Sequence, residues 1–156
     1  MKWYVMKICD LYIHGESKSP SLRFIGLFDK SFSYSADRTY AGFLNVNVGR
    51  VKLVSVVSEL RKAGVTCFSV PVEYRDNPGI DAAVAKTLAK KHAESIGSAI
   101  SESDHRHGYA PLFWVFDTSA RDDDRVGGVV IVDRLDGHIW ATSEYEEYMY
   151  DYNNVF

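Results

Sequence analysis

The chain has 156 residues, of which 46% are apolar and 25% charged, a globular composition rather than a disordered one. At this length roughly 70% of the unfolded surface can be buried, so one domain can build a real core without a metal or disulfide staple. The net charge of −3 and a pI near 5.9 argue against a nucleic-acid binder, which would show a basic stripe.

In chain order, residues 2–13 predict a strand, with Trp3, Val5, Cys9, Leu11 and Ile13 on one face and Tyr4, Met6, Ile8 and Tyr12 on the other. Both faces are largely apolar, which suits a central strand. This segment has no cleavable signal layout, and no run of 18 apolar residues exists, so a cytoplasmic location without a membrane span is expected. A turn through His14, Gly15 and Pro20 leads to strand candidates at 22–28 and 39–48. Leu53, Val56, Val57 and Leu60 follow helical spacing over 51–63, with Gly64 placed to stop the helix. Five valines between Val48 and Val57 would also suit a strand, and the spacing decides for helix. Residues 65–72 predict a strand that ends or lies at an edge at Pro71.

The clearest helix spans 80–97. Asp81 lies where the helix dipole favours an anion, Ile80, Val84, Leu88 and Ile96 mark an apolar stripe, and five alanines support propensity. Residues 98–110 read as polar loop. A hairpin follows, with strands at 112–118 and 128–133, and 138–142 extends it after an Asp136-Gly137 turn. Within it Trp114 and Phe116 alternate with Phe113 and Val115, so one pair should face the helix. Residues 143–152 predict a short closing helix, with Ser143 as N-cap and Glu146 completing a capping box. The expected fold is one α+β domain. Its single, mostly antiparallel sheet of five to seven strands carries one or two helices on one face and a short C-terminal helix.

Catalytic motifs are missing. There is no Gly-x-Ser-x-Gly and no phosphate-binding glycine loop. Cys9 and Cys67 lie in apolar runs and read as reduced, buried thiols, so a Cys67–histidine dyad would be inert. Asp104, His105 and His107 lack the further ligands a zinc site needs and read as solvated loop. Asp122, Asp123 and Asp124 lack the alternation of a calcium loop. Neither a metal nor a cofactor is implied, and the chain reads as a non-enzyme.

The most informative stretch is C-terminal. Between Asp133 and Asp151 six acids face one base, Arg134, so the rest of the chain carries a net +2. On a helix over 143–152, Tyr145, Tyr148 and Tyr152 share a face, and Glu144, Glu147 and Asp151 fall one residue behind. One reading packs the tyrosines on the sheet and leaves the acids solvated. The other makes Glu144, Tyr145, Glu147, Tyr148 and Asp151 a surface for a basic partner, because acidic patches steer encounter and tyrosines anchor interfaces.

The alanine-rich helix at 80–97 is followed by Phe113-Trp114-Val115-Phe116. Then come Gly128-Val129-Val130-Ile131-Val132-Asp133-Arg134, Asp136-Gly137, and finally Thr142 with Glu144-Tyr145-Glu146-Glu147-Tyr148. This order resembles the YrhB-like family of bacterial immunity proteins of polymorphic toxin systems, over about residues 80–150. The N-terminal 75 residues have no counterpart in that pattern. The resemblance implies a small cytosolic α+β protein that neutralises a co-encoded toxin by binding it, and it implies no catalytic residues. Two alternatives stand beside it. One is a non-catalytic binding or accessory domain of phage or mobile-element origin. The other is an enzyme whose site is assembled from dispersed residues such as His105, Asp117 and Asp133.

Overall fold

A computed structural model describes residues 7–101, 110–120 and 128–154. The elements in order are β1 (Ile8–Ser17), a 3-10 helix (Pro20–Leu27), β2 (Tyr40–Phe43), β3 (Val48–Gly49), α1 (Arg50–Lys62), β4 (Cys67–Pro71) and α2 (Val72–Asp76). They continue with α3 (Ala82–Ser95), β5 (Ser98–Ile100), β6 (Phe113–Ala120), β7 (Val129–Asp133) and α4 (Thr142–Asn153). The α+β class holds. The single sheet does not, because the strands among the described residues form two antiparallel sheets, one of four strands and one of three. The chain divides into two compact units, Met1–Asp76 with Tyr145–Phe156, and Asn77–Glu144. Among the described residues no helix is long and apolar enough to cross a membrane.

In the first unit β1 is central, as its two apolar faces predict. It pairs with β4 on one side, through Cys9 with Pro71 and Ile13 with Cys67. It also pairs with β3 through Cys9 and Val48 and with β2 through Tyr12 and Phe43. Cys9, Leu11 and Ile13 are buried with Leu53, Val56, Val57 and Leu60 of α1, each large aliphatic side chain contributing about 1.5–3 kcal/mol. The α1 stop is a Schellman motif. Val65 N–H donates to the Leu60 carbonyl and Gly64 N–H to that of Arg61, with Gly64 at φ 84°, where a Cβ would be disfavoured.

Residues 22–28 are not a strand. Ser19 accepts from the Ser21 amide and Pro20 opens a 3-10 turn that buries Leu22 and Ile25; proline's fixed φ and missing N–H suit a first helical position. The run 39–48 is also not one strand, because Asn45 takes φ 61° and separates β2 from β3.

In the second unit β5, β6 and β7 form a meander. The expected hairpin is present, with Phe113 opposite Asp133 and Asp117 opposite Val129, and Ile139 adds a single bridge to Val132. β5 lies where loop was expected. α3 begins at Asp81, whose carboxylate accepts from the Val84 amide at 2.9 Å. Its buried face is the expected stripe only in part: Ile80 and Leu88 pack against the core, but Val84 is 47% and Ile96 60% exposed, while Ala85, Ala89 and Ala93 are fully buried. Small side chains at every fourth position let the helix backbone approach the sheet, where Phe116, Val130 and Val132 supply the bulk. Trp114 shares that cluster, so the Trp114 and Phe116 pair is the one that packs with the helix. Gly79 is needed where α3 is entered: it has φ 65°, and a Cβ there would lie 2.1 Å from the Arg134 carbonyl oxygen.

Candidate functional site

The division between the units falls inside α4, between Glu144 and Tyr145. From Tyr145 onward the inner face of the helix is built of residues three and four apart. Tyr148 and Met149 are buried, Tyr152 is half-buried, and the Tyr148 and Tyr152 rings lie 5.3 Å apart. Among the described residues β4 pairs only with β1, so its other edge would expose unpaired peptide groups. α4 satisfies them. The Tyr148 hydroxyl donates to the Ser69 carbonyl at 2.8 Å, and the fully buried Asn153 accepts from the Ser69 amide through Oδ1 at 2.8 Å. Burial raises the Tyr148 hydroxyl pKa far above that of a free phenol, and that of Tyr152 to about 12. Arg50 donates to the Asp151 carbonyl oxygen at 2.6 Å and lies over the Tyr152 ring, placing a cation at the helix C-terminus.

This geometry redistributes the predicted partner-binding residues. Tyr148 is 4% exposed and serves the fold, so it is not a surface anchor. Tyr145 and Asp151 are half-buried and Glu147 is exposed. Glu144 is exposed but engaged: its Oε1 accepts from the Ala141 amide at 3.0 Å. The capping interaction therefore sits two residues earlier than expected, with Ala141 as the cap residue and Glu144 at the third helical position, in place of Ser143 and Glu146. Glu146 and Glu147 face solvent with Tyr150, which is 58% exposed. Among the described residues Glu146 and Glu147 have no salt-bridge partner. The outward face thus consists of Glu146, Glu147 and Tyr150. Met149 was the signal for it, since an apolar residue next to Tyr148 fixes which side of the helix is inner.

In the second unit the Asp136-Gly137 turn folds His138 back onto a group of carboxylates. Its Nδ1 lies 3.0 Å from Asp136 Oδ1 and 3.7 Å from Asp133 Oδ2, and its Nε2 lies 3.0 Å from Glu144 Oε2. Asp133 is buried. Its oxygens accept from the Leu135 amide at 2.7 Å and the Trp140 indole at 2.8 Å. One ligand-type atom from each of Asp133, Asp136 and His138 falls within 4.8 Å of the others, a spacing a divalent ion could bridge. Both ring nitrogens, however, already stand at hydrogen-bond distance from carboxylates, so the arrangement is an ion-pair cluster. Burial opposes the charged imidazolium, but the hydrogen bonds to Glu144 and Asp136 and the charge of Asp133 outweigh it, and His138 titrates above the ordinary histidine value. The Asp136 carboxyl, hydrogen-bonded by the His138 amide and ring, and the Glu144 carboxyl, bonded by the Ala141 amide and His138, both titrate below the ordinary carboxylate range.

The other sequence candidates do not converge. Asp104, His105, His107 and Asp122 to Asp124 lie outside the described residues. Asp117 and Asp133 stand four positions apart along the β6–β7 ladder, about 13 Å at strand spacing, so they do not share a site. Cys9 and Cys67 are free and buried. They too are offset by four positions across β1 and β4, beyond disulfide reach. Burial pushes the Cys9 thiol up to about 11 and the Cys67 thiol to about 12, which removes thiolate chemistry near neutral pH.

The first unit also carries an open cleft of about 410 Å³ whose lining includes Phe32, Arg38, Tyr40 and Asn45. The fully buried Asp10 shapes one wall by accepting from the Asn45 and Val46 amides, each at 3.0 Å. Burial raises the Asp10 pKa, while the amides of Val46, Leu11 and Asn45 and the Arg75 guanidinium hold it down in part. Comparison with protein-family models, with curated proteins and with solved structures finds no match.

Proposed function

We propose that the chain is an immunity protein that binds a cognate bacterial toxin by protein–protein contact and neutralises it in the cytoplasm, without catalysis. The observation that carries this reading is the outward face of α4. It places two carboxylates, without ion-pair partners among the described residues, beside an exposed tyrosine, on a helix whose other side is fixed in the core. Such a face is preorganised, so binding it costs little ordering entropy. Its charge would steer a basic partner, and Tyr150 would supply an aromatic anchor. The resemblance of residues 80–150 to YrhB-like immunity proteins supports the same reading.

The test is to install a photo-crosslinking residue at position 150 and express the chain in the bacterium that carries it. The captured protein should be toxic when produced alone and harmless when co-produced with this chain. Capture of non-toxic proteins only, at position 150 and at control positions alike, contradicts the proposal.

A further inference from the structure

We propose that His138 is a proton-operated latch on the turn leading into α4: doubly protonated it ties Asp136 to Glu144, and neutral it releases one of them. Hydrogen-bond capacity separates the two states of the ring. A neutral imidazole carries one N–H and one lone pair, whereas imidazolium carries two N–H donors. Here each ring nitrogen faces a carboxylate oxygen at 3.0 Å, and carboxylates only accept. Both contacts therefore exist together only while both nitrogens hold protons. After loss of one proton, a ring lone pair would point at a carboxylate, and that contact turns repulsive.

The charged groups that face the ring are Asp136 from the turn, Asp133 from the end of β7 and Glu144 from the first turn of α4. The Trp140 ring lies parallel to the imidazole, with centroids 6.3 Å apart and planes within 11°. Asp133 cannot take over the released nitrogen at its present 3.7 Å without loosening the Trp140 and Leu135 contacts that hold it. Glu144 joins the latch to backbone structure, because its second oxygen accepts from the Ala141 amide. Asp136 does the same through the His138 amide at 3.0 Å. Opening the latch therefore frees the carboxylates that hold these two amides.

The sign follows from the directions of the shifts. His138 titrates above the ordinary histidine value, so its contribution is complete below that value and is lost as pH rises through the folded pKa. Asp136 and Glu144 titrate low, so the latch also fails in acid, when they become protonated.

The experiment uses the full chain, with EDTA in one series and without it in a parallel one. Nitrogen NMR of the His138 ring should show a protonation midpoint above that of histidine in an unstructured peptide, with both nitrogens protonated below that midpoint. Amide exchange at His138 and Ala141, corrected for its intrinsic pH dependence, should accelerate several-fold as pH crosses that midpoint. In the His138→Gln variant the same exchange should be independent of pH over that range. A midpoint at or below that of the peptide, or a His138→Gln variant with the wild-type response, overturns the proposal. So does a wild-type response seen only when EDTA is omitted, since a cation rather than a proton would then join the groups.

Discussion

The two faces of α4 draw on the same residue types and put them to opposite uses. On the inner face Tyr148 and Asn153 satisfy the backbone of Ser69 at the outer edge of β4. On the outer face Tyr150 is exposed, and Glu146 and Glu147 have no ion-pair partner among the described residues. A rotation of about 100° per residue around the helix separates a structural tyrosine from one available to a partner. Residue type therefore says little about role here, and the register of the helix decides it.

The largest effect that would sharpen this contrast is expected at Tyr148. Tyr148→Ala removes a buried ring and leaves the Ser69 carbonyl unpaired, and should lower stability by roughly 3–5 kcal/mol in urea unfolding. A loss as small as that of a surface substitution would mean that α4 does not seal β4. Asn153→Ala comes next, at about 1–3 kcal/mol, because it leaves the buried Ser69 amide without its acceptor. Hydrogen exchange at Ser69 should rise along with that loss, and unchanged protection there would show that another group satisfies the amide.

Alkaline titration separates the faces without mutation. Tyr152 is pushed up to about 12 from an ordinary 10.0, so its contribution to stability is complete below the ordinary value. It is lost as pH rises from there through the folded value. The buried Cys9 thiol adds a loss that begins near its ordinary 9.0 and runs to about 11. The melting temperature should fall from about pH 9 upward, and tyrosinate absorbance should appear in two steps, the later one coinciding with unfolding. One step at the free-tyrosine value, with the fold intact, would place the inner tyrosines in solvent.

Much of this architecture was legible in the sequence. Leu53, Val56, Val57 and Leu60 announce α1, Asp81 announces the start of α3, and alternation around Trp114 and Phe116 announces the hairpin. What escaped has physical reasons. The apolar run 22–28 has strand composition, yet Pro20 and Ser19 start a tight helix before pairing can begin. On α3 the expected stripe was half right: Ile80 and Leu88 pack on the core, but Val84 and Ile96 are exposed, because close approach to the sheet selected alanines at 85, 89 and 93. The outward face of α4 was legible only in part. Glu147 faces outward as expected, whereas Glu146 and Tyr150 were missed because the tyrosine spacing at 145, 148 and 152 also satisfies a core pattern. The His138 cluster was not legible, since its contacts with Glu144 depend on how the Asp136-Gly137 turn folds back.

The smallest expected effect on stability is at Glu146 and Glu147, and there the functional account stands or falls. Glu146→Lys/Glu147→Lys should change unfolding free energy by no more than about 0.5 kcal/mol, since exposed charges contribute little. Once the toxin is in hand, association of this variant should be slower and less sensitive to salt than that of the wild type, and co-expression should no longer protect cells. A variant that folds normally, binds with unchanged kinetics and still protects would contradict the assignment of this face to partner binding.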